Sequence, residues 1–149
     1  AGALCLLMRE ERPKLIRHQA LIYPVTDCDF DRPSYRDFAE EYGLTRDEMI
    51  WFWKQYCARP EDATDPLAAI LRAPDLGNLP PATVTSAEFD VLRDEAEVYA
   101  EKLRAAGNQV TLHRVNGTCH GYAHLIGMVP EADETAKLLG GILKKALQA

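Results

Sequence analysis

Two residues of this 149-residue chain have the type and position that proton transfer needs. Asp90 stands in SAEFDVLRDE, just past the β-branched apolar run from Ala82 to Glu88, and His120 stands in NGTCHGY, 30 positions later and just past a second run from Gln109 to Val115. In an open parallel sheet, reactive groups gather at the carboxyl ends of the strands, where loops converge and helix N-termini point. A carboxylate and an imidazole on loops after adjacent strands match the orienting and base members of an acid, base and nucleophile triad. By spacing alone, an aspartate and a histidine serve equally well as a helix cap and a satisfied surface imidazole. The elements around them have to decide.

The pattern along the chain predicts alternating helices and strands. Ala3 to Arg12 reads as a helix stopped by Pro13. His18 to Tyr23, a short apolar run closed by Pro24, reads as a buried strand. The aspartate-rich stretch Asp27 to Pro33 is a loop. Ser34 caps a predicted short helix through Tyr42 that Gly43 ends, and Thr45, with Glu48 three residues on, makes a capping box for a helix to about Tyr56. Five prolines between Pro60 and Pro81 predict mostly loop. The strand Ala82 to Glu88 then leads to an amphipathic helix over Arg93 to Ala106 stopped by Gly107. The strand Gln109 to Val115 ends at Asn116-Gly117, a turn signal, and Pro130 opens a final helix with Ala132, Ala136, Leu139, Leu143 and Leu147 on one face. Strands alternating with helices imply parallel pairing and right-handed crossovers, so the fold class is α/β, with about three strands flanked by helices.

Four segments carry a resemblance along almost the whole chain: QALIYPVTD, SYRDFAEEYGLTRDEMIWFWKQY, LPPATVTSAEFDVLRDEAEVYAEKLRAAG and CHGY. In this order and spacing the sequence resembles the C-terminal half of the bacterial hormone-sensitive-lipase-like esterases, the α/β-hydrolase fold-3 group. The resemblance implies that residues 1–149 are the C-terminal portion of a single α/β-hydrolase domain, with a mostly parallel sheet. It implies that Asp90 is the triad acid and His120 the base, acting on a small-molecule ester of a short acyl group with no cofactor. Val91 stands where the family usually has proline, and Tyr122 where phenylalanine is commoner, which puts loop stiffness and pocket polarity in question.

A nucleophile is missing from this set. The family serine sits on a Gly-x-Ser-x-Gly turn upstream of both partners, whereas the two serines here read as a helix cap, Ser34, and an intrastrand residue, Ser86. Ala1-Gly2 followed by a helix resembles the tail of a Gly-Asp-Ser-Ala-Gly turn cut after its serine. In an intact chain the Ala1 backbone N–H would then be one oxyanion-hole donor. A serine carrying a covalent adduct would give the same start. The isolated chain is expected not to turn over esters. The strand at His18 to Tyr23 is expected to leave a bare edge, which favours poor solubility or homo-oligomers.

Composition narrows the alternatives. The formal charge of −6 weighs against nucleic acid and anionic membrane as partners. No apolar run approaches the roughly 18 residues of a spanning helix, and Ala1 to Met8 has no basic stretch before it or cleavage site after it, unlike a signal peptide. Cys5, Cys28, Cys57 and Cys119, with no C-x-x-C pair, read as free thiols in a reducing cytoplasm. Among His113, Cys119, His120 and His124 the only paired ligand knot is His120 with His124, where a structural metal site normally has two, so no metal site is expected. Cys119 reads as a small buried hydrophobe and not a nucleophile. The resemblance implies Trp51 or Phe52 as a wall of the acyl pocket, and Glu88, Asp94 and Glu95 are read as solvated or helix-start charges. A non-catalytic interaction module on the same fold remains the alternative; a cofactor-binding domain has no glycine-rich phosphate loop to support it.

Overall fold

The computed structural model describes residues 1–148. Three strands form one parallel sheet in the order β1-β2-β3: β1 (Gln19–Ile22), β2 (Ala82–Phe89) and β3 (Val110–Cys119). Five helices accompany them: α1 (Gly2–Glu11), α2 (Pro33–Asp37), α3 (Arg46–Tyr56), α4 (Arg93–Ala105) and α5 (Pro130–Gln148). Short 3₁₀ turns occupy 60–64, 70–72 and 122–124.

The central strand explains the layering. The first six residues of β2 are buried, as in a strand covered on both faces. Val84 and Ala87 lie three apart and so point to opposite faces. Val84 joins Cys5 of α1 and Tyr99, Ala100 and Leu103 of α4 in one apolar cluster, while Ala87 joins Val115, Tyr122 and Ala132 of α5 in another. A third cluster packs Tyr35, Met49 and Trp53 from α2 and α3 on Val91 and Leu92, directly after Asp90.

Local signals set several boundaries as expected. Thr45 and Glu48 form a reciprocal capping box on α3: the Glu48 N–H donates to Thr45 Oγ1 at 3.2 Å and the Thr45 N–H to Glu48 Oε2 at 2.8 Å. Gly107, with φ of 86°, ends α4 in the left-handed region. Two elements differ. The second helix is shorter than Ser34 to Tyr42 and has Arg32 at its N-cap, because the Ser34 hydroxyl is drawn away to the Val91 carbonyl at 2.7 Å. The third strand runs on through Asn116-Gly117 to Cys119, since Gly117, with φ of 75°, is absorbed in an irregularity of the β2–β3 register. Its N–H is taken by Glu88 Oε2 at 2.7 Å, so the glycine bends the ladder without ending it.

Candidate active site

Both predicted groups lie where the topology places them. Asp90 follows the last residue of β2 and His120 the last residue of β3, at the carboxyl ends of paired parallel strands. Their side chains meet: His120 Nδ1 lies 2.9 Å from Asp90 Oδ2. A carboxylate only accepts, so the proton in this contact sits on Nδ1, and in the neutral ring that tautomer leaves the lone pair on Nε2. The Asp90 side chain is 0% exposed and that of His120 26%, so the imidazole is the member that solvent and substrate can reach.

The acid is fixed by its own turn. Asp90 Oδ1 accepts the Leu92 N–H at 2.9 Å, and the Asp90 carbonyl accepts the Arg93 N–H at 3.1 Å. With both oxygens engaged, the carboxylate has one orientation to offer the imidazole. Ser34 stitches α2 to the same turn, donating its hydroxyl to the Val91 carbonyl and its N–H to Asp94 Oδ2 at 2.8 Å. Val91, in the usual proline position, is fully buried, so packing supplies the stiffness that a proline ring would. The base is followed by Gly121 at φ of 86°, which lets the chain reverse into the turn at 122–124. The Tyr122 hydroxyl is buried but bonded to Thr135 Oγ1 at 3.1 Å, so the extra polar atom is satisfied by α5.

A cavity of about 620 Å³ opens beside the pair, lined by Val25, Leu44, Met49, Phe52, Tyr56, Leu92 and His120, among others. Its walls are mostly apolar, with the histidine as the polar group at its edge. Phe52 is one of its walls; Trp51 is exposed and is not.

Sequence reading missed the carboxylates behind the site. Glu95 lies in the first turn of α4, as expected, but is not solvated: it is fully buried, and its Oε1 accepts the N–H groups of Thr26 and Asp27 at 2.5 and 3.2 Å, while Tyr35 donates its hydroxyl to Oε2 at 3.1 Å. Burial pushes its carboxyl up to about 7 against those three bonds. Asp27 behaves oppositely: burial disfavours its charge, but Arg32 and Arg72, each at 2.6 Å, outweigh that and hold its carboxyl below the usual range. No spacing rule marks Glu95, because its backbone donors come from a loop some 70 residues earlier. Cys119 is exposed, not buried, because the extended β3 turns its side chain outward.

Among the described residues, none of the remaining sequence candidates is hydrogen-bonded to the side chains of the pair. Ala1 is exposed at the N-cap of α1, where its carbonyl accepts the Cys5 N–H at 3.1 Å, and among the described residues no hydrogen bond joins it to Asp90 or His120. Ser86 donates to Glu97 at 2.8 Å and Ser34 to Val91, so both hydroxyls are engaged elsewhere. Gly2 is buried where a Cβ would stand 2.4 Å from Ile70 Cδ1 and 3.1 Å from the Tyr99 hydroxyl, a close approach that favours glycine. Among the described residues, no three of His, Cys, Asp and Glu group as a metal site.

A parallel sheet bearing an Asp–His pair on adjacent strand ends defines a class, the hydrolases that use such a pair to activate a nucleophile. Comparison with known proteins gives the family. Residues 1–124 match the model described as alpha/beta hydrolase fold. The chain is 36% identical over 118 residues to an ethyl acetate hydrolase of Pseudomonas putida, covering 79% of this chain and 37% of that protein. It is 37% identical over 134 residues to the carboxylesterase NlhH of Mycobacterium tuberculosis, covering 88% and 42%. Among solved structures, a thermostable carboxylesterase cloned from a metagenomic library superposes with a TM-score of 0.95 at 39% identity, covering 100% of this chain and 51% of the other. A thermostable esterase of Pseudomonas putida does so with 0.94 at 42%, covering 100% and 48%. The chain therefore belongs to the α/β-hydrolase fold family, with the hormone-sensitive-lipase-like carboxylesterases as its relatives, and spans about half the length of those relatives or less.

Proposed function

We propose that this chain is the acid-and-base half of a serine carboxylic-ester hydrolase for short acyl esters, with Asp90 as the acid, His120 as the base, and a serine from outside these residues as the nucleophile. The observation that carries this reading is the 2.9 Å contact between His120 Nδ1 and the buried Asp90 carboxylate, which leaves Nε2 as a base beside an apolar cavity. Nε2 takes the serine hydroxyl proton as the oxygen attacks the ester carbonyl carbon, and Asp90 stabilises the imidazolium. Nε2 then returns the proton to the departing alkoxide as the carbon–oxygen bond breaks. Water repeats the cycle on the acyl-enzyme. The Ala1 N–H is assigned to the oxyanion hole, a role supported by the likeness of Ala1-Gly2 to the residues that follow the serine in a Gly-Asp-Ser-Ala-Gly turn.

Two relatives named for ester hydrolysis support a small ester as substrate. Among the described residues no helix is long and apolar enough to cross a membrane. Four free cysteines fit a reducing compartment, and we assign the protein to the cytoplasm on that ground. The test is hydrolysis of p-nitrophenyl acetate. The 149-residue chain alone is expected to give background rates, and the chain joined to a segment ending in Gly-Asp-Ser, so that Ala1-Gly2 complete the turn, is expected to give saturable turnover that His120→Ala abolishes. Saturable hydrolysis by the chain alone, or activity that survives His120→Ala, refutes the reading.

A further inference from the structure

Among the described residues, the His120 ring makes one side-chain hydrogen bond, through Nδ1; it sits between an exposed Cys119 and a left-handed Gly121 and is partly open to solvent. Its orientation is held by the side-chain torsions and that one bond, so packing against the ring face decides how often the bond is lost.

Tyr23 is the residue in place to supply that packing. It follows β1 and precedes Pro24, yet its φ is 35°. A residue ahead of proline is driven toward extended backbone, and a side chain with a Cβ resists positive φ, so this conformation runs against both preferences. Its N–H is held by the Thr85 carbonyl at 2.7 Å, which anchors the strained residue to the middle of the central strand. The turn brings its ring against His120, with centroids 4.4 Å apart and planes at 55°. The same ring meets Tyr122 edge-on at 5.6 Å, and Tyr122 is tied to α5 through Thr135. A strained backbone persists only where its surroundings over-determine it, and such strain clusters at functional sites.

We propose that Tyr23 is the positioning residue of the base, its ring setting the plane of the His120 imidazole so that Nδ1 stays on Asp90 and Nε2 stays free for the proton. This rests on the ester-hydrolase reading above. The competing structural role is a filler of the apolar cluster around Ala87, Val115 and Ala132, and leucine would perform that role as well as an aromatic ring. The chain joined to its serine-bearing segment is therefore compared as Tyr23→Phe, Tyr23→Leu and Tyr23→Gly on p-nitrophenyl acetate, with His120→Ala as control. Tyr23→Phe is expected to keep kcat within about twofold, while Tyr23→Leu and Tyr23→Gly lower kcat about 10- to 100-fold with KM unchanged. The ¹⁵N-resolved Nδ1 proton of His120 is expected to persist in Tyr23→Phe and to broaden away in Tyr23→Leu. Tyr23→Gly removes the strain with the ring, so its loss of kcat occurs without a lower melting temperature than Tyr23→Leu. If Tyr23→Gly does not fold, the phenylalanine and leucine variants decide by themselves. Equal kcat in those two variants overturns the role of Tyr23. Full activity in His120→Ala instead overturns the hydrolase reading on which the role depends.

Discussion

Replacing Glu95 by glutamine isolates the electrostatics behind the site. Burial raises its carboxyl from 4.5 to about 7, a rise that corresponds to about 3 kcal/mol between the two protonation states. The geometry accounts for the tolerance of the neutral form: a protonated Glu95 still accepts the Thr26 and Asp27 N–H groups at Oε1 and donates from Oε2 to the Tyr35 oxygen. Because the folded value lies above the unfolded one, this group's contribution to stability is fully present below about pH 4.5 and is lost as pH rises through about 7. The glutamine side chain presents the same acceptor and donor but never ionises. Urea unfolding of wild type and Glu95→Gln at about pH 4.5, 6 and 8 should show near-equal stabilities at the acid end, with the variant gaining on the wild type by up to about 3 kcal/mol at pH 8. Asp27, whose depressed carboxyl acts in the opposite sense, is common to both proteins and cancels in the difference. A gap that does not change with pH, or that favours the wild type at the alkaline end, would refute the claim that burial dominates over the three hydrogen bonds.

Other expectations follow from single contacts. Asp90→Asn keeps the shape of the acid but not its charge, and in the serine-bearing form kcat should fall about 10⁴-fold with KM little changed; a drop below tenfold would remove Asp90 from the acid role. Leu92→Ala opens a hole where a fully buried side chain roofs the cavity beside the acid turn, and urea titration should show a loss of about 2–5 kcal/mol. Thr45→Ala breaks the capping box of α3 and should cost about 1 kcal/mol, read as a fall of a few degrees in Tm. β1 pairs only with β2 among the described residues, and Ile22 beside that bare edge is partly exposed, so the isolated chain should elute from size exclusion as oligomers or aggregate; a monodisperse monomer would count against this.

The pairing of Asp90 with His120 was legible because both stand immediately past strand-like runs, and a parallel sheet brings neighbouring strand ends together. The boundaries of α3 and α4 were legible for a local reason: Thr45 with Glu48, and Gly107, act within one turn. Where contacts from distant segments decide, the reading failed. Ser34 looked like a cap because nothing in its neighbourhood shows that Val91 will compete for its hydroxyl. Asn116-Gly117 looked like a turn because a glycine that ends a strand and one that kinks it have the same spelling. Glu95 looked solvated because its partners Thr26, Asp27 and Tyr35 belong to other elements. The positive φ of Tyr23 contradicts the expectation for a residue before proline, so no local rule could reveal it.

The most direct test is the rate at which diethyl p-nitrophenyl phosphate phosphorylates the chain joined to its serine-bearing segment, with the labelled residue identified by mass spectrometry. That single step reads whether His120 activates a serine. The account predicts one labelled serine, outside residues 1–149, and a labelling rate that falls about 10²- to 10⁴-fold in His120→Gln. Labelling at Ser34 or Ser86, or a rate unchanged by loss of the imidazole, would contradict it.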